Sequence, residues 1–219
     1  MSTLSHDDLS VEQDRICAIE RRSPGNPACI LRQLLRIEGP LNEDAFRRAV
    51  DAVIDRHPAL RTVFSFKDGR STVLSGSAPI SVEVIELGPI PPSAWVEEAQ
   101  RRALDEAKHP FDLEAGPLTR FKLLRFSPES HVLLIAAHAA VLDEESADRL
   151  FDEIIEAYEP VLRDGLSRSS EFPRAEAESG RWHRHWIEKM GKGAHLAYWK
   201  EQVAGELPIL ELPTDRPRP

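Results

Sequence analysis

The chain has 219 residues, 41% hydrophobic and 30% charged, with 28 Lys+Arg against 37 Asp+Glu and a formal net charge of −9. That balance belongs to a globular protein and not to a disordered one. A chain of this length can bury a real core without metals or disulfides. The acidic excess argues against nucleic-acid binding, which needs a positive footprint, and no apolar run approaches the ~20 residues of a membrane span. The start, Met1 to Asp8, is polar and acidic, without a basic segment followed by an apolar one, so the sequence reads as cytoplasmic. Cys17 and Cys29 are its only cysteines, and in that compartment both are expected to be reduced, neither bridged nor nucleophilic.

Ser10-Val-Glu-Gln13 has the spacing of a capping box and predicts a helix to about Glu20. Arg21 to Pro27 reads as a loop and Cys29 to Ile37 as a strand ending at Gly39-Pro40. Asn42 caps a helix whose apolar positions Ala45, Phe46, Ala49, Val50, Val53 and Ile54 follow the i, i+3, i+4 rule, and which stops before Pro58. Arg61 to Phe66 and Ser71 to Leu74 are strands around an Asp68-Gly69 hairpin signal. Ser81 to Leu87 is a further strand. Gly88 to Pro92 is a stiff connector, after which Ser93 is expected to cap a helix reaching Lys108. A turn at Phe111 to Pro117 precedes a strand from Leu118 to Phe126. His131 to Ala137 is the most apolar stretch of the chain and is expected to be a central strand buried on both faces.

A helix with Leu150, Ile154, Ile155 and Tyr158 comes next. Arg163 to Gly180 is polar and patternless, a mobile link. Trp182 to Val203 is a last helix, and Glu206 to Pro219 an extended tail. The division expected is therefore a core at 1–162, a linker at 163–181 and a terminal helix with tail at 182–219. Strands and helices mix without strict βαβ alternation, which favours α+β over a doubly wound sheet. The expected arrangement is a mixed sheet with the helices Asn42 to Arg56, Ser93 to Lys108 and Ser146 to Tyr158 on one side.

Eight histidines are the obvious place to look for chemistry. His183 and His185, two apart on an expected helix, point in different directions and make poor co-ligands. His57 and His109 precede prolines at element ends. There is no HExxH, paired CxxC, Walker loop or glycine-rich phosphate cradle, so neither a metal nor a cofactor is expected. His138 at the exit of the most buried strand, five residues before Asp143 at a helix start, has a placement common for catalytic groups. A plainer reading makes Asp143 a helix cap and gives His138 a backbone carbonyl as partner. Spacing alone favours the plainer one.

Several stretches together resemble one family. Leu9-Ser-Val-Glu-Gln-Asp-Arg15, Arg56-His-Pro-Ala-Leu-Arg-Thr-Val-Phe64, His138 to Glu144, Tyr198-Trp-Lys-Glu-Gln-Val-Ala-Gly205 and Leu210 to Pro219 are similar, in order, to motifs of the N-terminal lobe of condensation domains of non-ribosomal peptide synthetases. Gly39-Pro-Leu41 and His109 to Pro117 add to the likeness, which runs from about Leu9 to Pro219. The resemblance implies an α+β, chloramphenicol acetyltransferase-like two-layer sandwich, present here as a single lobe.

It also locates departures. The family's active-site motif, His-His-x-x-x-Asp-Gly, falls on His138 to Glu144, so its second histidine, the one assigned to catalysis, is Ala139. Glu144 replaces the glycine, and of the family's fourth motif only Trp182 remains. By resemblance His138 and Asp143 are the surviving motif residues, mainly structural, with Arg61 expected to pair with Asp143. A methyl group accepts no proton, and general-base catalysis typically contributes ~10²- to 10⁴-fold. A single lobe also cannot enclose two substrates between lobes. The chain is therefore read as truncated and inactive alone, acting by binding a peptidyl or acyl carrier protein, another synthetase domain or a tailoring enzyme. The alternatives are half of a split or longer condensation domain completed by a second lobe, and a remnant without a role. A phosphopantetheine arm belongs to the carrier partner.

Overall fold

The computed structural model describes residues 9–67, 70–75, 79–164, 185–187, 189, 192–207 and 213. The chain divides into two compact units, Met1–Arg181 and Trp182–Pro219. The Asp68-Gly69 turn, most of the expected linker, Trp182 and nearly all of the proline-rich tail lie outside the described residues.

The first unit opens with α1 (Val11–Arg22), held by both halves of a capping box. The Gln13 N–H donates to Ser10 Oγ and the Ser10 N–H to Gln13 Oε1, each at 3.0 Å. Its inner face buries Ile16, Cys17 and Glu20. Strand β1 (Ile30–Glu38) follows, then α2 (Glu43–Arg56), whose first turn is capped by Asn42 Oδ1 accepting from the Ala45 N–H at 2.9 Å. All six apolar positions read from its 3.6-residue pattern are buried. Strands β2 (Thr62–Lys67) and β3 (Arg70–Ser75) form a separate antiparallel pair.

Strand β4 (Val82–Glu86), helix α3 (Trp95–Glu106), strands β5 (Thr119–Ser127) and β6 (Ser130–His138), and helix α4 (Glu144–Asp164) complete the unit. The main sheet has the order β1-β6-β5-β4. It is mixed, since β6 runs antiparallel to both neighbours while β4 and β5 are parallel. His131 to Ala137 is thus an inner strand, with Leu133, Leu134, Ile135, Ala136 and Ala137 all buried. In the second unit α5 (Lys192–Gln202) carries Tyr198 to Gln202 of the Tyr198–Gly205 stretch.

Two expectations about helices are corrected. Ser93 does not cap α3, because the backbone first makes a short 3-10 turn over Pro92–Ala94, and Ala94 at the N-cap supplies no side-chain bond. Successive prolines set that tight entry. The Trp95 indole then anchors the helix, donating to the Ile90 carbonyl at 2.9 Å and packing 5.3 Å from Phe126.

The helices also do not share one side of the sheet. Leu133 and Ile135 of β6, with Phe121 and Leu123 of β5, pack with α2 and α4. The alternate residues Leu124, Phe126 and Val132 pack with Ala99 and Trp95 of α3. Successive strand residues face opposite ways, so α3 covers the face that α2 and α4 leave open. Ala136, also on that second face, packs with Cys17 of α1 and Phe64 of β2.

Candidate functional site

The site is built where β6 ends. The His138 N–H donates to the Leu118 carbonyl at 2.9 Å, and the Ala139 N–H to the Cys29 carbonyl at 2.8 Å. Gln13 Nε2 reaches from α1 to the Ala140 carbonyl at 3.2 Å. The residue before β5, the residue before β1 and the first turn of α1 therefore all grip the end of β6 and the turn Ala139 to Val141, before α4 begins.

The two neighbours in this turn have different surroundings. Ala139 is half-buried and lines an open cleft of about 770 Å³ together with Ser10, Gln13, Arg15, Cys29 and Asp143. His138 is 2% exposed and is not among the walls of that cleft. Its Nδ1 accepts from the Ala140 N–H at 3.2 Å, the Phe111 ring stands edge-on at 6.3 Å, and Nε2 lies 3.6 Å from Glu20 Oε2. Burial lowers the imidazole's affinity for a proton below the ordinary histidine value, and the Glu20 carboxylate only partly opposes this. The ring is thus an acceptor for its own turn, and not the donor to a carbonyl that the plainer reading expects.

Asp143 is spent at the start of α4. Its Oδ1 accepts from the Ser146 N–H at 2.8 Å, and hydrogen bonding to Ser146 holds its carboxyl below the usual range. The pair expected between Arg61 and Asp143 is not formed. Arg61 closes the 3-10 turn that follows α2, so its guanidinium folds back on that helix, donating to the Asp55 carbonyl at 3.2 Å and pairing with the Asp55 carboxylate at 3.8 Å. Glu144, in the place of a glycine, is the first residue of α4, where a negative charge is favoured.

Sequence reasoning passes over two carboxylates that organise this region. Glu153 of α4 accepts from Arg56 at 2.8 Å and pairs with His57 at 2.7 Å, tying the Arg56–Phe64 stretch to α4. Burial alone would raise the Glu153 pKa, but His57 and Arg56 outweigh it and the net shift is downward. Glu20 carries no local signal beyond a buried helix position, yet it faces His138 and accepts from the Gly25 N–H at 2.5 Å. The thiols are poor nucleophiles: burial pushes Cys17 up to about 12 and raises Cys29 as well.

The family model described as "Condensation domain" matches residues 5–219. One of the linear gramicidin synthase polypeptides of Brevibacillus parabrevis is 34% identical over 98% of this chain, which spans 3% of that protein. Phosphinothricin tripeptide synthetase PhsC of Streptomyces viridochromogenes is 33% identical over 96% of the chain, which spans 20% of that protein. In fold, the chain is similar to the first condensation domain of the calcium-dependent antibiotic synthetase, with a TM-score of 0.79 at 19% identity over 92% of this chain and 47% of that one. The starter condensation domain of rhizomide synthetase gives 0.73 at 20% identity, over 93% of this chain and 48% of that one. The chain therefore spans a small part of the curated relatives and just under half of each of these solved condensation-domain structures.

Proposed function

The chain belongs to the condensation-domain family of non-ribosomal peptide synthesis, and from that premise we propose that it serves as a non-catalytic condensation lobe, recruiting a carrier protein or another synthetase domain. The observation that carries this reading is the chemistry of the turn after β6. Ala139, which lines the cleft, has only a methyl group at the position where the family motif has its second histidine. His138, the neighbouring base, is buried away from the cleft, and its Nδ1 already accepts from the Ala140 N–H. Asp143 is committed to Ser146. No side chain of the motif is left to take a proton from an attacking amine, a role typically contributing ~10²- to 10⁴-fold.

The test mixes the purified chain with carrier proteins loaded with acyl and aminoacyl groups, follows binding by calorimetry, and follows amide formation by mass spectrometry. Binding without product is the expected result. Product from the chain alone overturns the non-catalytic half of the proposal, and failure to bind any carrier or synthetase domain overturns the recruiting half.

One observation favours a second reading. The chain covers 47–48% of the solved condensation domains it matches, so a C-terminal lobe supplied from elsewhere would complete an amide- or ester-forming domain. Turnover that arises only with that lobe present selects this reading.

A further inference from the structure

We propose that Glu20, Cys29 and His138 form a zinc site that pins α1 to the end of β6. A carboxylate oxygen of Glu20, the Cys29 sulfur and a ring nitrogen of His138 all lie within 4.8 Å of one another. They come from three separate places: the last turns of α1, the residue before β1 and the last residue of β6. The group is well shielded, with Cys29 at 6% and His138 at 2% exposure.

The second observation is that the polar atoms aimed into the group are left over by the rest of the fold. Glu20 Oε1 is used by the Gly25 N–H and His138 Nδ1 by the Ala140 N–H. Glu20 Oε2 and His138 Nε2 are buried and face each other at 3.6 Å, too long for a hydrogen bond, and neither has another hydrogen-bond partner among the described residues. Buried polar atoms are nearly always satisfied, and a pair held only by this long contact beside a thiol leaves room for a ligand that all three can share. One nitrogen, one sulfur and one oxygen donor suit zinc best among the common divalent ions.

The spacing is close to what such an ion needs. Zinc bonds of roughly 2.0–2.3 Å in tetrahedral geometry place donor atoms roughly 3.3–3.8 Å apart. The Glu20 Oε2–His138 Nε2 separation is already 3.6 Å, and since one donor atom of each of the three residues lies within 4.8 Å of the others, the Cys29 sulfur has only a short distance to close. Binding releases the thiol proton of Cys29 to solvent. It also moves the ring proton of His138 from Nε2 to Nδ1, which gives up the long Ala140 contact in return for the metal bond. Three protein donors leave a fourth position for water or another ligand.

The test uses the full chain, stripped with chelator and then titrated separately with Zn²⁺ and Co²⁺. One equivalent of zinc is expected by equilibrium dialysis, with a rise in melting temperature. The cobalt form is expected to show a thiolate-to-metal charge-transfer band in the near ultraviolet. That band should persist in Cys17→Ser and vanish in Cys29→Ser, and Glu20→Gln should weaken affinity by more than ~10-fold. The wild-type band reports a thiolate ligand directly, and its persistence in Cys17→Ser assigns that thiolate to Cys29 even if Cys29→Ser fails to fold. No uptake, uptake without a thiolate band, or a band that survives Cys29→Ser would each overturn the proposal.

Discussion

Gln13 joins two parts of the first unit with one side chain. Its Oε1 completes the α1 capping box, and its Nε2 holds the Ala140 carbonyl beside the cleft. Gln13→Ala removes both bonds and should cost roughly 1–2 kcal/mol in denaturant unfolding. Glu98 makes a different prediction. Hydrogen bonds from Arg101 and Arg102 on the same helix lower its pKa from 4.5 to about 2. As pH falls, the unfolded chain takes up this proton first, so the unfolded state binds more protons between those two values. The stabilisation is present above pH 4.5 and is lost as pH falls toward 2. Urea melts at neutral and acid pH should show wild type losing more stability than Glu98→Gln across that window.

At the scale of elements, α4 is where pattern and packing part company. Its inward stripe runs through Ala147, Leu150, Phe151, Ile154 and Val161. Ile155, one residue past Ile154, is turned by about 100° from it on a helix; it is 56% exposed where Ile154 is 1% exposed. Ile154→Ala should therefore cost about 2–5 kcal/mol and Ile155→Ala no more than ~0.5 kcal/mol, compared in the same urea series. The placement of α3 follows a similar rule. Trp95 and Ala99 match the apolar side chains of one sheet face, but the helix's own periodicity is the same whichever face it covers.

At the scale of the molecule, two features bear on the proposed role: the methyl group of Ala139, and the fact that these residues span just under half of a solved condensation domain. They can be separated by restoring each. Assayed as these 219 residues alone, Ala139→His should yield no amide product, because one lobe does not enclose two substrates. With a C-terminal condensation lobe supplied, Ala139→His should exceed the wild-type chain by ~10²- to 10⁴-fold in product formation. Equal turnover by the two chains would mean that positioning alone drives the reaction. Among the described residues no helix is long and apolar enough to cross a membrane.

Much of the architecture is legible in the residues because the chemistry that sets it is local. Ser10 and Gln13 write the start of α1, Asn42 that of α2, and the apolar run to Ala137 announces the inner strand. Each signal operates within one helical turn or one strand. The motif from His138 to Glu144 likewise exposes Ala139 to inspection without coordinates. What the residues alone do not supply is partnership across the chain. A motif pairs Arg61 with Asp143, but the turn after α2 commits its guanidinium to Asp55. Glu20, Cys29 and His138 have no shared spacing to notice, and they meet only because Ile30 of β1 pairs in register with His138 while α1 packs across the same end of the sheet. Caps and periodicities depend on near neighbours, so the sequence determined the elements, their order and the methyl group at position 139. Sheet register and the choice of face depend on the whole core at once, and those the tertiary structure alone decided.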